Sequence, residues 1–313
     1  MTILETESKS LRKAYGETLI DLGLENKNIV VLDADLSSST QTKMFAKQFP
    51  NRFFNCGIAE QDMIATAAGL ASQGKIPFVS TFAMFATGRT YDQIRNSVCY
   101  PNFNVKIVAT HGGVTVGEDG ASHQALEDVA LMRNLPNMTV IVPADYNEVH
   151  EVIKYAATHD GPMYIRIPRT NLPDTISNFS CKFDLNPKEL TKGYGLTIIT
   201  NGETLKEVLQ AEKRLSKKGI KVQVIHCPVV KPTPLTLLDM ITANKVFTVE
   251  NHSIIGGLGS MVAELIAESS KNIQLKRIGV NDEFGQSGTA KELLKEYGLS
   301  SQKIVESIIK KEF

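Results

Sequence analysis

A chain of 313 residues with 34 Lys and Arg against 34 Asp and Glu has no formal net charge, which excludes a general pull toward nucleic acid or an anionic membrane. Its 42% hydrophobic and 22% charged residues describe an ordinary globular protein with room for about two domains. Cys56, Cys99, Cys181 and Cys227 are scattered, without a Cys-x-x-Cys pair or a metal-ligand spacing, so reduced thiols in a cytoplasmic protein are expected.

Taken in order, residues 8–24 read as an amphipathic helix with Leu11, Tyr15, Leu19 and Leu22 on one stripe. A buried strand, Ile29 to Leu32, ends in Asp33-Ala34-Asp35-Leu36 and a Ser-rich turn. A helix at 41–48 and a strand at Phe53-Phe54 lead into Asn55-Cys56-Gly57-Ile58-Ala59-Glu60-Gln61, where an Ala- and Gly-rich helix begins. Its small residues (Ala65, Ala67, Ala68, Gly69, Ala71) allow close approach of other backbone, so this helix is expected to be deeply buried. Then follow a strand at 77–80, a helix from Met84 to Ser97, a strand at 105–110, a Gly-rich loop from His111 to His123 and a helix at 125–132. A strand at 139–142, a helix at 146–158 opened by Asp145 and a strand at 163–167 complete the first unit.

Pro168, Pro173 and Pro187 punctuate a polar stretch that reads as a linker at 171–190, dividing a domain at 1–170 from one at 191–313. The second unit alternates strands at 196–200, 221–226, 246–249 and 273–279 with helices at 204–218, 257–268 and the C-terminus, and has a Pro-rich loop at 228–234. Short apolar strands alternating with helices predict α/β architecture, two doubly wound domains with mostly parallel sheets. The polar N-terminus has no signal-peptide pattern, and no apolar run approaches a membrane span.

Ligands of open parallel sheets sit beyond the carboxyl ends of the strands. Polar residues do gather there: Asp33 and Asp35, Glu60, Thr81 with Phe82, then His111, Asp119 and His123, and finally Arg166 and Arg169. The loop Thr110-His111-Gly112-Gly113-Val114-Thr115-Val116-Gly117-Glu118-Asp119-Gly120-Ala121-Ser122-His123-Gln124 is the most specific stretch. Two histidines so far apart with one aspartate make a poor metal set, and hydrogen bonding to a hydroxylated substrate suits them better.

Gly57 to Gln61 with its Ala-rich helix, together with Gly117 to Gln124, resembles the pyrimidine-binding domain of thiamine-diphosphate enzymes of the transketolase group. Val249-Glu250-Asn251-His252-Ser253 and Gly256-Gly257-Leu258-Gly259-Ser260 are similar to the C-terminal domain of the same group, so the resemblance covers essentially the whole chain. It implies that Glu60 hydrogen-bonds the aminopyrimidine and activates the cofactor, which asks for a buried carboxyl with a raised pKa. Phe82 and Phe85 match the aromatics flanking the pyrimidine, and Asp35 a residue lining the cofactor pocket. His123 matches a contact to the reacting carbonyl or hydroxyls, and Asp119 a contact to a donor hydroxyl. His111, Arg169, Arg12 and Ser39 match ligands of the substrate phosphate, for which a planar guanidinium is well shaped. Gly88 stands where many transketolases have a third pocket aromatic, and Asp33 matches no assigned role.

The Gly-Asp-Gly string that holds the cofactor's diphosphate through Mg²⁺ (or Ca²⁺) in this family does not occur in the chain. The resemblance therefore implies the C-terminal subunit of a split transketolase, inactive alone. A separate N-terminal subunit would supply diphosphate and metal binding, in an α2β2 heterotetramer that self-associates through the pyrimidine domain. Ketose and aldose phosphates of the pentose phosphate type are the implied substrates. Rival readings are 1-deoxyxylulose-5-phosphate synthase, suggested by Tyr91-Asp92-Gln93 and Ile165 to Arg169, and the β subunit of a 2-oxo acid dehydrogenase. A non-catalytic regulatory subunit is a reading of another class.

Overall fold

A computed structural model describes residues 7–176 and 183–310; Cys181 and part of the expected linker lie outside the described residues. The first part of the chain carries β1 (Lys9–Ser10), β2 (Ile29–Asp33), β3 (Phe53–Asn55), β4 (Ile76–Ser80), β5 (Lys106–Thr110), β6 (Thr139–Ile141), β7 (Met163–Ile167) and β8 (Asn171–Leu172). The rest carries β9 (Lys188–Thr191), β10 (Leu196–Thr200), β11 (Val222–His226), β12 (Val229–Lys231), β13 (Lys245–Ser253) and β14 (Gln274–Val280).

Strands β6-β7-β5-β4-β2-β3 lie side by side in parallel. β2, β5 and β7 are buried along their whole length, as strands covered by helices on both faces must be. The second sheet has the order β14-β13-β10-β11-β9, with β9 antiparallel at its edge. Both sheets are of the expected α/β kind. Helix Leu11–Glu25 starts where Ser10 accepts a hydrogen bond from the Lys13 amide, and helix Tyr146–Thr158 starts where Asp145 does the same for Glu148.

Several expectations need correction. The stretch expected as one helix from Met84 to Ser97 consists of two wide π-type turns, Phe85–Arg89 and Ile94–Cys99, around a short helix Tyr91–Gln93. The expected Pro-rich loop contains β12, which leaves the second unit and pairs antiparallel with β6 at the edge of the first sheet. Prolines flanking Val229 and Val230 read as a breaker, yet an edge strand tolerates them and buries both valines. The stretch expected as linker contributes β8, paired with β1, and most of β9. Finally, helix Glu60–Ser72 is not deeply buried: Met63, Ile64, Ala67 and Ala68 pack inward, while Ala65, Thr66 and Gly69 face outward.

Candidate active site

β2 and β3 end at Asp33 and Asn55, and the chain then turns through Gly57, whose φ of 68° suits a residue without Cβ. The turn delivers Glu60 as the first residue of helix Glu60–Ser72, with only 4% of its surface exposed. Arg89 Nη1 donates to both carboxylate oxygens, at 3.0 and 3.3 Å. Its Cζ lies 4.2 Å from the centre of the Phe85 ring, a cation–π distance. The Gln61 side-chain amide pins the Arg89 carbonyl at 2.8 Å. Arg89 reaches this place from the end of the Phe85–Arg89 turn, a type of helical irregularity that is frequent at functional sites. The carboxyl expected to be buried is buried, and it is paired with Arg89.

Beyond the end of β4, Phe82 bridges to Thr110, and the Thr110 amide donates to the Thr81 carbonyl at 3.1 Å. This register stacks Phe82 on the His111 ring at 3.9 Å. His111 has a φ of 61°, strained backbone for a residue with a Cβ. Its Nδ1 is 2.8 Å from the Thr110 hydroxyl. Burial first, and then Arg12, Arg169 and His123, push the His111 pKa down to about 3, so the ring is neutral. His123 meets the edge of Phe85 at 5.4 Å and hydrogen-bonds Ser122. The two aromatics and two histidines form one continuous wall.

A basic cluster beside His111 joins three segments distant in sequence. Arg12 donates to the Ser39 carbonyl at 3.0 Å, and burial with the nearby Arg169 pushes its pKa down. Arg169 donates to the Val116 carbonyl and lies 3.4 Å from Glu118 and 3.6 Å from Asp119. The loop that carries Ser39 is held by Asp33, which accepts from the Leu36 amide and from the Thr40 and Thr42 hydroxyls. Asp33 therefore has a role after all, as the anchor of the 34–42 loop, and burial pushes its pKa up. Asp35 stands apart from this cluster, exposed and paired with Asn55 at 3.1 Å.

The Gly-rich loop is clamped from the second unit. Asn251 accepts from the Val114 amide at 3.0 Å and donates to Glu203 at 2.6 Å. Glu203 also accepts from Thr115 and Thr170, at 2.7 and 2.9 Å. Burial raises the Glu203 pKa, against the pull of these hydrogen bonds and of Arg166. Arg166, flagged as a strand-end cation, is fully engaged in structure: it bonds Asp128 at 2.8 Å and the Ala125 and Asn251 carbonyls.

The transketolase pyrimidine-binding domain matches residues 7–175, and the transketolase C-terminal domain matches residues 188–304. The chain belongs to the transketolase family. A protein of Methanocaldococcus jannaschii assigned as a transketolase C-terminal section is 53% identical, over 96% of each chain. A 6-deoxy-6-sulfo-D-fructose transketolase subunit of Clostridium sp. is 38% identical, over 96% of this chain and 94% of that one. A solved structure described as a split-gene transketolase in an inactive β4 tetramer superposes with a TM-score of 0.88 at 48% identity, over 96% of this chain and 97% of that one. This transketolase chain is thus a C-terminal subunit of the split type.

The residues present suit the pyrimidine end of thiamine diphosphate, because a buried carboxylate and an aromatic face converge on one group, Arg89, that bonds the first and stacks on the second. Among the described residues no group of three or more His, Cys, Asp or Glu converges as a metal site, and no helix is long and apolar enough to cross a membrane. Sequence reasoning missed Arg89, Glu203 and Asn251. Asn251 had a signal in its family string, whereas Arg89 and Glu203 had none, since only the fold brings them to their partners.

Proposed function

We propose that this transketolase subunit transfers a two-carbon ketol unit from a ketose phosphate to an aldose phosphate, in a site completed by an N-terminal subunit. The observation that carries the reading is buried Glu60, joined through Arg89 to the Phe85 face, whose ring in turn meets His123 in the Phe82–His111 wall. Thiamine diphosphate, when bound, supplies a carbon nucleophile and an electron sink. Glu60 holds the proton exchanged at the pyrimidine ring nitrogen, and Arg89 must withdraw to let that ring in. Phe85 provides the stacking face, Phe82 backs it, and Asp35 lines the pocket mouth.

On the sugar side, His123 moves a proton at the reacting oxygen and Asp119 fixes a donor hydroxyl. Arg12 and Arg169 supply positive charge for the phosphate, and the Ser39 hydroxyl and His111 complete its hydrogen bonds. Neutral His111 contributes a hydrogen bond and no charge. The diphosphate and Mg²⁺ (or Ca²⁺) belong to the partner in this reading, which fits the missing Gly-Asp-Gly string. Two copies of each chain are expected, joined through the pyrimidine domains.

The test is ketol transfer by this chain, alone and co-expressed with a diphosphate-binding subunit, using xylulose 5-phosphate and ribose 5-phosphate. Similar proteins are described as acting on apulose 4-phosphate and 6-deoxy-6-sulfo-D-fructose, so both sugars join the panel. Exposed Gly88, which lacks a side chain of its own and is flanked by the Met84 methyl, supports their inclusion. Activity in the complex alone, lowered at least about 100-fold by Glu60→Gln, is the expected outcome. Turnover by the isolated chain would overturn the two-chain site.

A further inference from the structure

A second cavity, of about 610 Å³, opens in the C-terminal unit. Its walls are helix Thr204–Ser216, helix Ala290–Glu296 and the start of helix Ser301–Ile309, and its floor includes Thr170 and Glu203. None of the residues given a cofactor or sugar role above lines it. The volume falls within the range usual for small-molecule sites, roughly 300–1,000 Å³.

The charges in this cavity are unbalanced. Lys206 and Arg214 come from one helix, and Lys291 and Lys295, one turn apart, come from the other. Among the described residues none of these four has an ion pair or a side-chain hydrogen bond. Two carboxylates also line the cavity, and both bond neutral donors instead of these cations. Glu203 is turned to Thr115, Thr170 and Asn251, and Glu207 accepts from the Ser301 amide at 2.7 Å. Four cations gathered in one concavity create a positive potential that attracts an anion of matching size. Ser300 precedes its helix without a side-chain cap bond, which leaves its hydroxyl free for a phosphate oxygen. Leu172, Ala290 and Leu294 add an apolar surface.

We propose that this cavity binds a small phosphate-bearing metabolite, with the four cations on its phosphates and the leucines against its organic part. A link to the catalytic loop is built into the same walls. Helix Ala290–Glu296 packs on the 114–119 turn that carries Asp119, and Thr170 directly follows Arg169. An occupant that draws the two helices together therefore shifts the KM for sugar phosphates. The binding claim stands by itself, and only the effect on KM rests on the ketol-transfer reading.

Titration calorimetry on the two-chain complex would test it, with inorganic phosphate, AMP, ATP and fructose 6-phosphate as probes, on wild type and on Lys206→Glu/Lys291→Glu. Both substituted lysines reach solvent, and circular dichroism would check that the fold persists. The expected result is binding of at least one organic phosphate, weakened about tenfold or more in the variant, whose sugar KM without effector is unchanged. A nucleotide preference over fructose 6-phosphate would identify the organic part as a nucleoside, and the reverse a sugar. No binding of any probe up to about 10 mM, or equal binding by wild type and variant, would overturn the proposal. Binding without a KM change would overturn the coupling alone.

Discussion

Glu60 and Arg89 form a single ion pair at the centre of the candidate site. The guanidinium satisfies the carboxylate and covers the Phe85 face, the two contacts that the proposed function assigns to a pyrimidine ring. His111 makes a complementary point about charge. Its folded pKa of about 3 lies below its ordinary 6.5, so between these values the unfolded chain binds more protons. Stability is then fully present above about 6.5 and falls as pH drops toward 3. An NMR titration of the His111 ring should show no inflection between about pH 5 and 8; a midpoint near 6.5 would contradict the buried neutral ring.

At the scale of elements, the loop from His111 to His123 depends on glycine. Gly113 has a φ of 81°, and a Cβ there would collide with the Asn251 side chain. Gly113→Ala should lower unfolding stability by about 1–3 kcal/mol in urea denaturation and loosen the clamp from the second unit. β5 holds a different device at its amino end, where buried Lys106 donates to the His159 and Gly161 carbonyls at 2.7 and 2.6 Å. Burial brings its pKa down to about 7 from the ordinary 10.5. Between these values the unfolded chain holds more protons, so stability rises with pH across that window. Lys106→Met should flatten the rise, measured as the slope of unfolding free energy against pH; an unchanged slope would assign the effect elsewhere.

For the whole molecule, one face of the first unit stays open. Ile58 is 78% exposed and Phe54 40%, and Ala65, Thr66 and Gly69 of the Glu60 helix are also exposed. Exposed small side chains on a helix and exposed large apolar ones in the segment before it suit close packing against a second copy. Ile58→Asp should shift the chain to smaller species in size-exclusion chromatography, with its circular dichroism retained. An unchanged elution volume would place self-association on another face.

Much of this protein follows from local pattern. The apolar runs of β2, β5 and β7 and the Ser10 and Asp145 caps are local, because burial on both faces and side-chain capping act on neighbouring residues. The family strings at Gly57 to Gln61 and Gly117 to Gln124 likewise mark, from sequence alone, the family and the loops to which the proposed chemistry is assigned. What only the tertiary structure decided are the contacts between distant segments. They include Arg89 on Glu60, Arg12 on the Ser39 carbonyl, Asn251 and Glu203 on the Gly-rich loop, and β12 on the far sheet. Their physical reason is common: each group finds its hydrogen-bond or charge partner only after burial removes water as the alternative.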